Sequence, residues 1–159
     1  MAGDSAEELR RSFFGEQLTP LPRGPGHVLL VGATGVVGRA AVETFNAVGG
    51  WKVTAVSRRR PDYPLGAAEH LSLDLTDRAS CEAALAPLVD VTHVVFSALF
   101  EMPGDLVRGW QEEEQQRTND EMLRNLLDPI LSHARGFQHL SLMQGAKARS
   151  PPHHHATAF

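Results

Sequence analysis

Three glycines spaced by two residues constrain this chain more than any other feature: Gly32-Ala33-Thr34-Gly35-Val36-Val37-Gly38. They lie between a β-branched-rich run, His27 to Val31, and a stretch of helical character from Val36 to Val48. Each glycine has a separate steric role. Gly32 permits a tight exit from a strand, Gly35 lets backbone approach a ligand with no Cβ in the way, and Gly38 lets the helix pack close to the sheet. The helix start presents free N–H groups and the positive end of the dipole, which suits an anion. Spacing alone is weak evidence, but a strand before and a helix after is the context the motif needs. Gly32, Thr34, Gly35, Val36, Val37 and Gly38 are therefore the first candidate ligand-binding residues.

The rest of the chain repeats the alternation of short apolar runs and helical stretches. Strands are expected at Lys52–Ser57, His70–Leu73, His93–Ser97 and Phe137–Leu142. Helices are expected over Arg78–Leu88 and from Leu106 to about Ala134. In the latter, Met122, Leu123, Leu126, Leu127, Ile130 and Leu131 recur with helical spacing as one apolar face. Pro129 lacks an N–H, so a kink or break is expected there. Strands buried on both faces and separated by helices imply a parallel sheet with right-handed crossovers. The fold class is α/β: a Rossmann-type, doubly wound sheet of about five strands in the order 3-2-1-4-5, with helices on both faces. Residues 1–26 read as a flexible lead-in, its Pro- and Gly-rich end unable to form regular structure. Residues 27–147 form the nucleotide-binding domain, and 148–159 an irregular tail.

With 159 residues, 42% of them hydrophobic and 21% charged, the chain fits one soluble domain. A net charge of −4 without a basic block argues against nucleic acid as a partner. No apolar stretch is long enough to span a membrane, and no signal-peptide core precedes the domain. The lone cysteine, Cys81, fits a reducing compartment and reads as a packed side chain on a helix. The expected location is the cytoplasm.

The second strand points to the cofactor. NAD sites usually place a carboxylate at the end of this strand, about 20 residues beyond the turn. Here the strand ends Val56-Ser57-Arg58-Arg59-Arg60, with no carboxylate. Ser57, Arg58 and Arg59 suit the 2′-phosphate of NADP(H), with Arg58 nearest the strand end. Asp74 has two readings: an acceptor for the adenine amino group, or a turn or N-cap residue before Leu75-Thr76-Asp77. Ser97 and Ala98 end the fourth strand at the switch-point crevice, where small residues let a cofactor lie close to the backbone.

These residues carry a family resemblance. The glycine turn resembles that of the extended or atypical short-chain dehydrogenase/reductases. Ser57-Arg58-Arg59, Asp74-Leu75, Thr92 to Phe96, Asn119 to Leu127, and His139 to Lys147 resemble the progesterone 5β-reductase/iridoid synthase-like group. The Gln144-Gly145-Ala146-Lys147 segment is the most selective match. The resemblance implies NADPH-dependent reduction of activated C=C bonds on a small-molecule substrate. It makes Leu75 and Asn119 cofactor-site residues. Lys147 becomes the active-site lysine, which binds the nicotinamide ribose and lowers the pKa of a nearby tyrosine.

The resemblance also exposes a gap. Hydride addition to an enone leaves an enolate that needs a proton-donating partner, and tyrosine is the usual one. Four positions before Lys147 stands Met143, and Arg149 replaces the family's usual aromatic residue. In the 5β-reductase-like group the tyrosine follows well downstream, and no such residue precedes Phe159. The only tyrosine, Tyr63, belongs to the adenosine half. The chain thus reads as the cofactor half of a longer, truncated enzyme, with two alternatives: a non-catalytic NADP(H)-binding module or sensor, and a member with nucleotide-sugar epimerase/dehydratase chemistry. A homodimer is compatible with the sequence. No metal is expected, since His153, His154 and His155 lie in a segment with nothing to orient them. His27, His70, His93 and His139 read as packed or edge residues.

Overall fold

The computed structural model describes residues 26–101 and 113–143. In chain order these form β1 (His27–Val31), α1 (Val36–Val48), β2 (Lys52–Ser57), β3 (Glu69–Ser72), α2 (Arg78–Leu85), β4 (Val91–Phe96), α3 (Glu113–His133) and β5 (His139–Leu142). All strand pairs are parallel and the order is β3-β2-β1-β4-β5, the expected Rossmann-type order. Central β1 is buried along its whole length. It pairs Val28 with Val53 on one side and with His93 on the other.

Side-chain alternation along β1 divides the interior into two cores. Leu29 and Val31 face α2 and α3, joining Cys81, Leu85, Met122, Leu126 and Ile130. Val28 and Leu30 face α1, joining Ala33, Val42, Val53, Ala55, Tyr63 and Leu65. Helices therefore cover both faces, which is why the strands read as continuous apolar runs rather than alternating ones. Cys81 is fully buried within the first core, and burial pushes its thiol up to about 11, so it is a packing residue.

Helix ends depart from the sequence reading for local reasons. α2 is capped by Asp77, whose carboxylate accepts from the Ser80 N–H at 3.1 Å. It stops at Leu85, before the expected Leu88, as the Leu88 N–H turns back to the Leu85 carbonyl. α3 does not break at Pro129 but continues to His133. Pro129 is buried against the core side, and the ladder resumes with the Ala134 N–H on the Ile130 carbonyl at 2.8 Å. The buried stripe of α3 is narrower than the expected apolar face. Met122, Leu126 and Ile130 are buried together with Asn125 and Pro129, whereas Leu131 is 60% exposed. The expected helical residues 106–112, the lead-in as far as residue 25, and residues 144–159 lie outside the described residues.

At the amino-terminal ends of the strands a polar cluster ties β1, β2 and the turn before β4. Asp90 Oδ2 accepts from Lys52 Nζ at 2.9 Å, and its Oδ1 lies 2.8 Å from His27 Nδ1. The second ring nitrogen of buried His27 meets Thr54 Oγ1 at 2.8 Å. The Lys52 and His27 hydrogen bonds hold the Asp90 carboxyl down at about 2. Because this folded-state value is depressed, its stabilisation is complete above the unfolded value of about 4 and is lost as pH falls towards about 2. Asp90 is half exposed, so the contribution is below about 1 kcal/mol. Asp90→Asn should lower Tm at pH 7 by about 2–4 °C. It should also flatten the decline below pH 4, as measured by thermal denaturation across pH 2–7.

Candidate cofactor site

A cavity of about 260 Å3 opens at the carboxyl ends of β1, β2, β3 and β4. This is the switch point of the sheet, where β1 leads to α1 on one face while β4 leads to the opposite one. Of the predicted residues, Gly32, Thr34 and Gly35 line it from the first turn, and Ser57 and Arg58 from the end of β2. Asp74 and Leu75 line it after β3, with Ser97 and Ala98 after β4.

The glycine turn is built by close backbone contact. Gly32 has φ +90°, and a Cβ there would lie 2.8 Å from the Ala98 nitrogen and the Ser97 carbonyl carbon. A Cβ on Gly38 would run into the Gly32 carbonyl oxygen and come within 2.8 Å of Ala33 Cα. Gly38 therefore seats α1 on the turn itself and does not line the cavity. Gly35 differs: an added Cβ would meet only the Gly32 carbonyl oxygen, at 3.3 Å, and would occupy the rim of the cavity. Packing alone demands the outer two glycines, and the middle one leaves room for something else. At the start of α1, Gly35 makes no side-chain cap and no acidic residue occupies the first turn. Val36 and Val37 are exposed there, and among the described residues no acidic side chain caps the first N–H groups and the positive helix end. The turn thus fits a pyrophosphate.

The rim of the cavity formed by the ends of β2 and β3 is partly committed to its own loops. Ser57 is buried, and its hydroxyl donates to the Arg59 carbonyl at 2.7 Å. It also lies 3.1 Å from His70 Nε2. Ser57 therefore braces the turn that presents Arg58. Arg59 contributes its carbonyl to that brace and does not line the cavity. Arg58 is exposed over the cavity, its carbonyl held by the Ser72 hydroxyl at 2.9 Å. Asp74 Oδ1 accepts from both the Thr76 N–H and hydroxyl, at 3.0 and 2.8 Å. The cap of α2 is Asp77, so Asp74 is a turn residue that also faces the cavity. The two Thr76 hydrogen bonds, with Arg58 nearby, hold its carboxyl below the usual range.

Two amides of α3 secure the far wall. Asn119, predicted to touch the cofactor, instead clamps the backbone after β4. Its Oδ1 accepts from the Phe100 N–H at 2.8 Å, and its Nδ2 donates to the Phe100 and Gln115 carbonyls, each at 2.9 Å. Both amide protons are spent, and Asn119 is not among the lining residues. Asn125, which the sequence reading passed over, donates to the Leu75 carbonyl at 2.8 Å and is buried. Two helical turns of α3 thus hold the loops that follow β3 and β4. Leu73, Phe100 and Met122 complete an apolar wall that was not foreseen either. Met122 had been read as core alone, and no periodicity separates a core methionine from one that also reaches a cavity. Lys147 lies outside the described residues. Among those described, no cluster of three metal-ligating side chains occurs and no helix is long and apolar enough to cross a membrane.

Fold and cavity together define a dinucleotide-binding α/β domain. The chain belongs to the NAD dependent epimerase/dehydratase family, whose model matches residues 28–150. Among curated proteins it is 33% identical over 128 residues to an (S)-8-oxocitronellyl enol synthase of Nepeta racemosa, covering 75% of this chain and 30% of the relative. It is 34% identical, with the same coverage, to the 3-oxo-Delta(4,5)-steroid 5-beta-reductase of Arabidopsis thaliana. The chain thus spans about 30% of the length of these relatives. In fold it resembles a short-chain dehydrogenase/reductase of Saccharomyces cerevisiae, with a TM-score of 0.60 and 14% identity over 76% of this chain and 54% of that one. The domain is a NAD(P)-binding unit of the epimerase/dehydratase type.

The glycines separate packing from binding in a testable way. Gly38→Ala should lower Tm by roughly 5–10 °C, the overpacking cost of about 1–3 kcal/mol for a domain of this size. Gly35→Ala should change Tm by less than about 3 °C while weakening nicotinamide dinucleotide binding at least about ten-fold, a loss near 1.4 kcal/mol. Differential scanning fluorimetry with and without the nucleotide reads both.

Proposed function

We propose that this chain holds NADP(H) in preference to NAD(H) and is the cofactor-binding part of an NADPH-dependent oxidoreductase acting on activated C=C bonds. The observation that carries the cofactor choice is Arg58. It stands at the end of β2 beside the cavity, on a turn braced by Ser57, where an NAD-specific site would place a carboxylate. A guanidinium there can pair with a 2′-phosphate through two parallel hydrogen bonds. The glycine turn and the first N–H groups of α1 take the pyrophosphate, and Asp74 has an oxygen left for the adenine amino group. The small residues Ser97 and Ala98 let the nicotinamide half pass close to β4. Bound there, NADPH would supply hydride. The protein's part is to orient it and keep water off its apolar side with Leu73, Phe100 and Met122.

The substrate class rests on likeness to an enol synthase and a steroid 5-beta-reductase, supported by the segment from His139 to Lys147. In this reading Lys147 is the catalytic lysine, and Asn119 positions the loop beside the nicotinamide rather than touching it. A second reading is a cofactor-binding module without turnover: the tyrosine present, Tyr63, has its hydroxyl bonded to the Ala33 carbonyl and is not part of the cavity.

Titrating the chain with NADPH and NADH in parallel tests the cofactor choice, because a ligand stabilises the fold by RT ln(1 + [L]/Kd). NADPH should raise Tm at concentrations where NADH does not. Arg58→Ala should weaken NADPH about ten-fold or more, the loss of about 1.5–3 kcal/mol for a hydrogen bond to a charged group, and leave NADH unchanged. Equal shifts with both nucleotides in the wild-type chain would refute the NADP preference. Consumption of NADPH in the presence of an enone would separate the reductase reading from that of a silent module.

A further inference from the structure

Tyr63 is the one tyrosine of the chain, and the site as described leaves it without a role. It follows β2 in Pro61-Asp62-Tyr63-Pro64, and only 8% of its surface is exposed. The ring packs in the α1-side core with Val28, Leu30 and Val42. Its outer face lies under the Arg39 guanidinium of α1, 4.9 Å from the ring centre. Glu43 holds Arg39 in place through a 2.8 Å hydrogen bond. The phenol is thus fixed from several sides, and its proton goes to the carbonyl of Ala33 at 2.7 Å.

Ala33 is the second residue of the glycine turn. Its own N–H, like that of Gly32, donates to the Val56 carbonyl, at 3.2 and 2.9 Å respectively. The turn is therefore tethered to β2 through its N–H groups and to Tyr63 through the Ala33 carbonyl. A trans peptide places its N–H opposite its C=O. With the Ala33 carbonyl turned to Tyr63, the N–H of Thr34 points the other way. That N–H has no hydrogen-bond partner among the described residues, and Thr34 lines the cavity while Tyr63 does not.

We infer that Tyr63 is a positioning residue for the anion: it locks the Ala33–Thr34 peptide so that the free Thr34 N–H faces the pyrophosphate. The inference rests on the reading of the cavity as a nicotinamide dinucleotide site. A phenol serves better than a smaller donor here because its ring also fills the space beneath Arg39.

The test uses the full chain with Tyr63→Phe, which keeps the ring and removes one hydrogen bond. Two ligands are titrated calorimetrically: NADPH, which carries the pyrophosphate, and 2′-AMP, which carries the adenosine phosphate alone. Tyr63→Phe should weaken NADPH about three- to ten-fold, the range of one hydrogen bond, and leave 2′-AMP unchanged. Unchanged NADPH affinity, or equal weakening of both ligands, would overturn the role of Tyr63 while leaving the cofactor reading intact. Failure of wild-type protein to bind either ligand would overturn the cofactor reading, and this inference with it. If Tyr63→Phe does not fold, the wild-type amide resonance of Thr34 decides. It should shift with NADPH and stay in place with 2′-AMP, and a resonance unmoved by NADPH overturns the inference.

Discussion

The contact between Gly32 and Gly38 is the constraint from which the rest of the molecule follows. A helix that begins five residues after the end of a strand must fold back across the turn that joins them. Here the approach is so close that the Gly32 carbonyl oxygen occupies the place of a Gly38 side chain. Gly32 in turn lies against the Ser97–Ala98 backbone and needs a positive φ. Two backbone turns from different crossovers therefore share one small volume. That intimacy brings the start of α1, the end of β2 and the loop after β4 around a single cavity. It also accounts for the two unequal cores: α1 is pressed down at its start and covers one face, leaving α2 and α3 to cover the other.

The cavity's walls are held by neutral polar groups rather than by charge pairs. Ser57, Asn119, Asn125 and Tyr63 each spend side-chain hydrogen bonds on backbone atoms of the loops that line the cavity or adjoin it. Buried backbone groups in loops need such partners, because no sheet or helix ladder reaches them. One consequence is that residues of functional type serve the site from behind. Asn119 has the position and chemistry of a contact residue, yet its amide is saturated by Phe100 and Gln115. The ion pairs instead lie at the opposite end of the sheet or on exposed helix faces, where they are worth little individually.

Much of this was legible in the sequence, for physical reasons that differ between elements. β1, β2 and α1 match residue for residue, because the glycine spacing pins the junction and the apolar run leaves no other register. The parallel sheet followed from alternation and handedness, and the strand order from the Rossmann-type glycine turn. Edge strands were harder: β3 begins at Glu69 and β5 at His139, each paired on one side only, so burial marks their ends weakly. The helix does not break at Pro129, because packing on either side holds it together despite the lost hydrogen bond. Among the candidate site residues, Gly32, Thr34, Gly35, Ser57, Arg58, Asp74, Leu75, Ser97 and Ala98 line the cavity, whereas Asn119 braces a loop backbone beside it. The sequence does not separate the two, since an asparagine that braces a backbone has the same letter as one that binds a ligand.

Charge and protonation around the cavity bear on what chemistry this surface can perform. Among the described residues, the titratable side chains that line it are Arg58 and Asp74. Asp74 is held as a carboxylate by Thr76, so near neutrality it accepts hydrogen bonds and has no proton to give. Cys81 keeps its proton behind the core with its thiol pushed up to about 11. Tyr63 is shifted upward as well, chiefly by burial, and its proton is already directed at Ala33. The described lining is therefore suited to fixing a large anion and shielding its apolar face, not to delivering a proton.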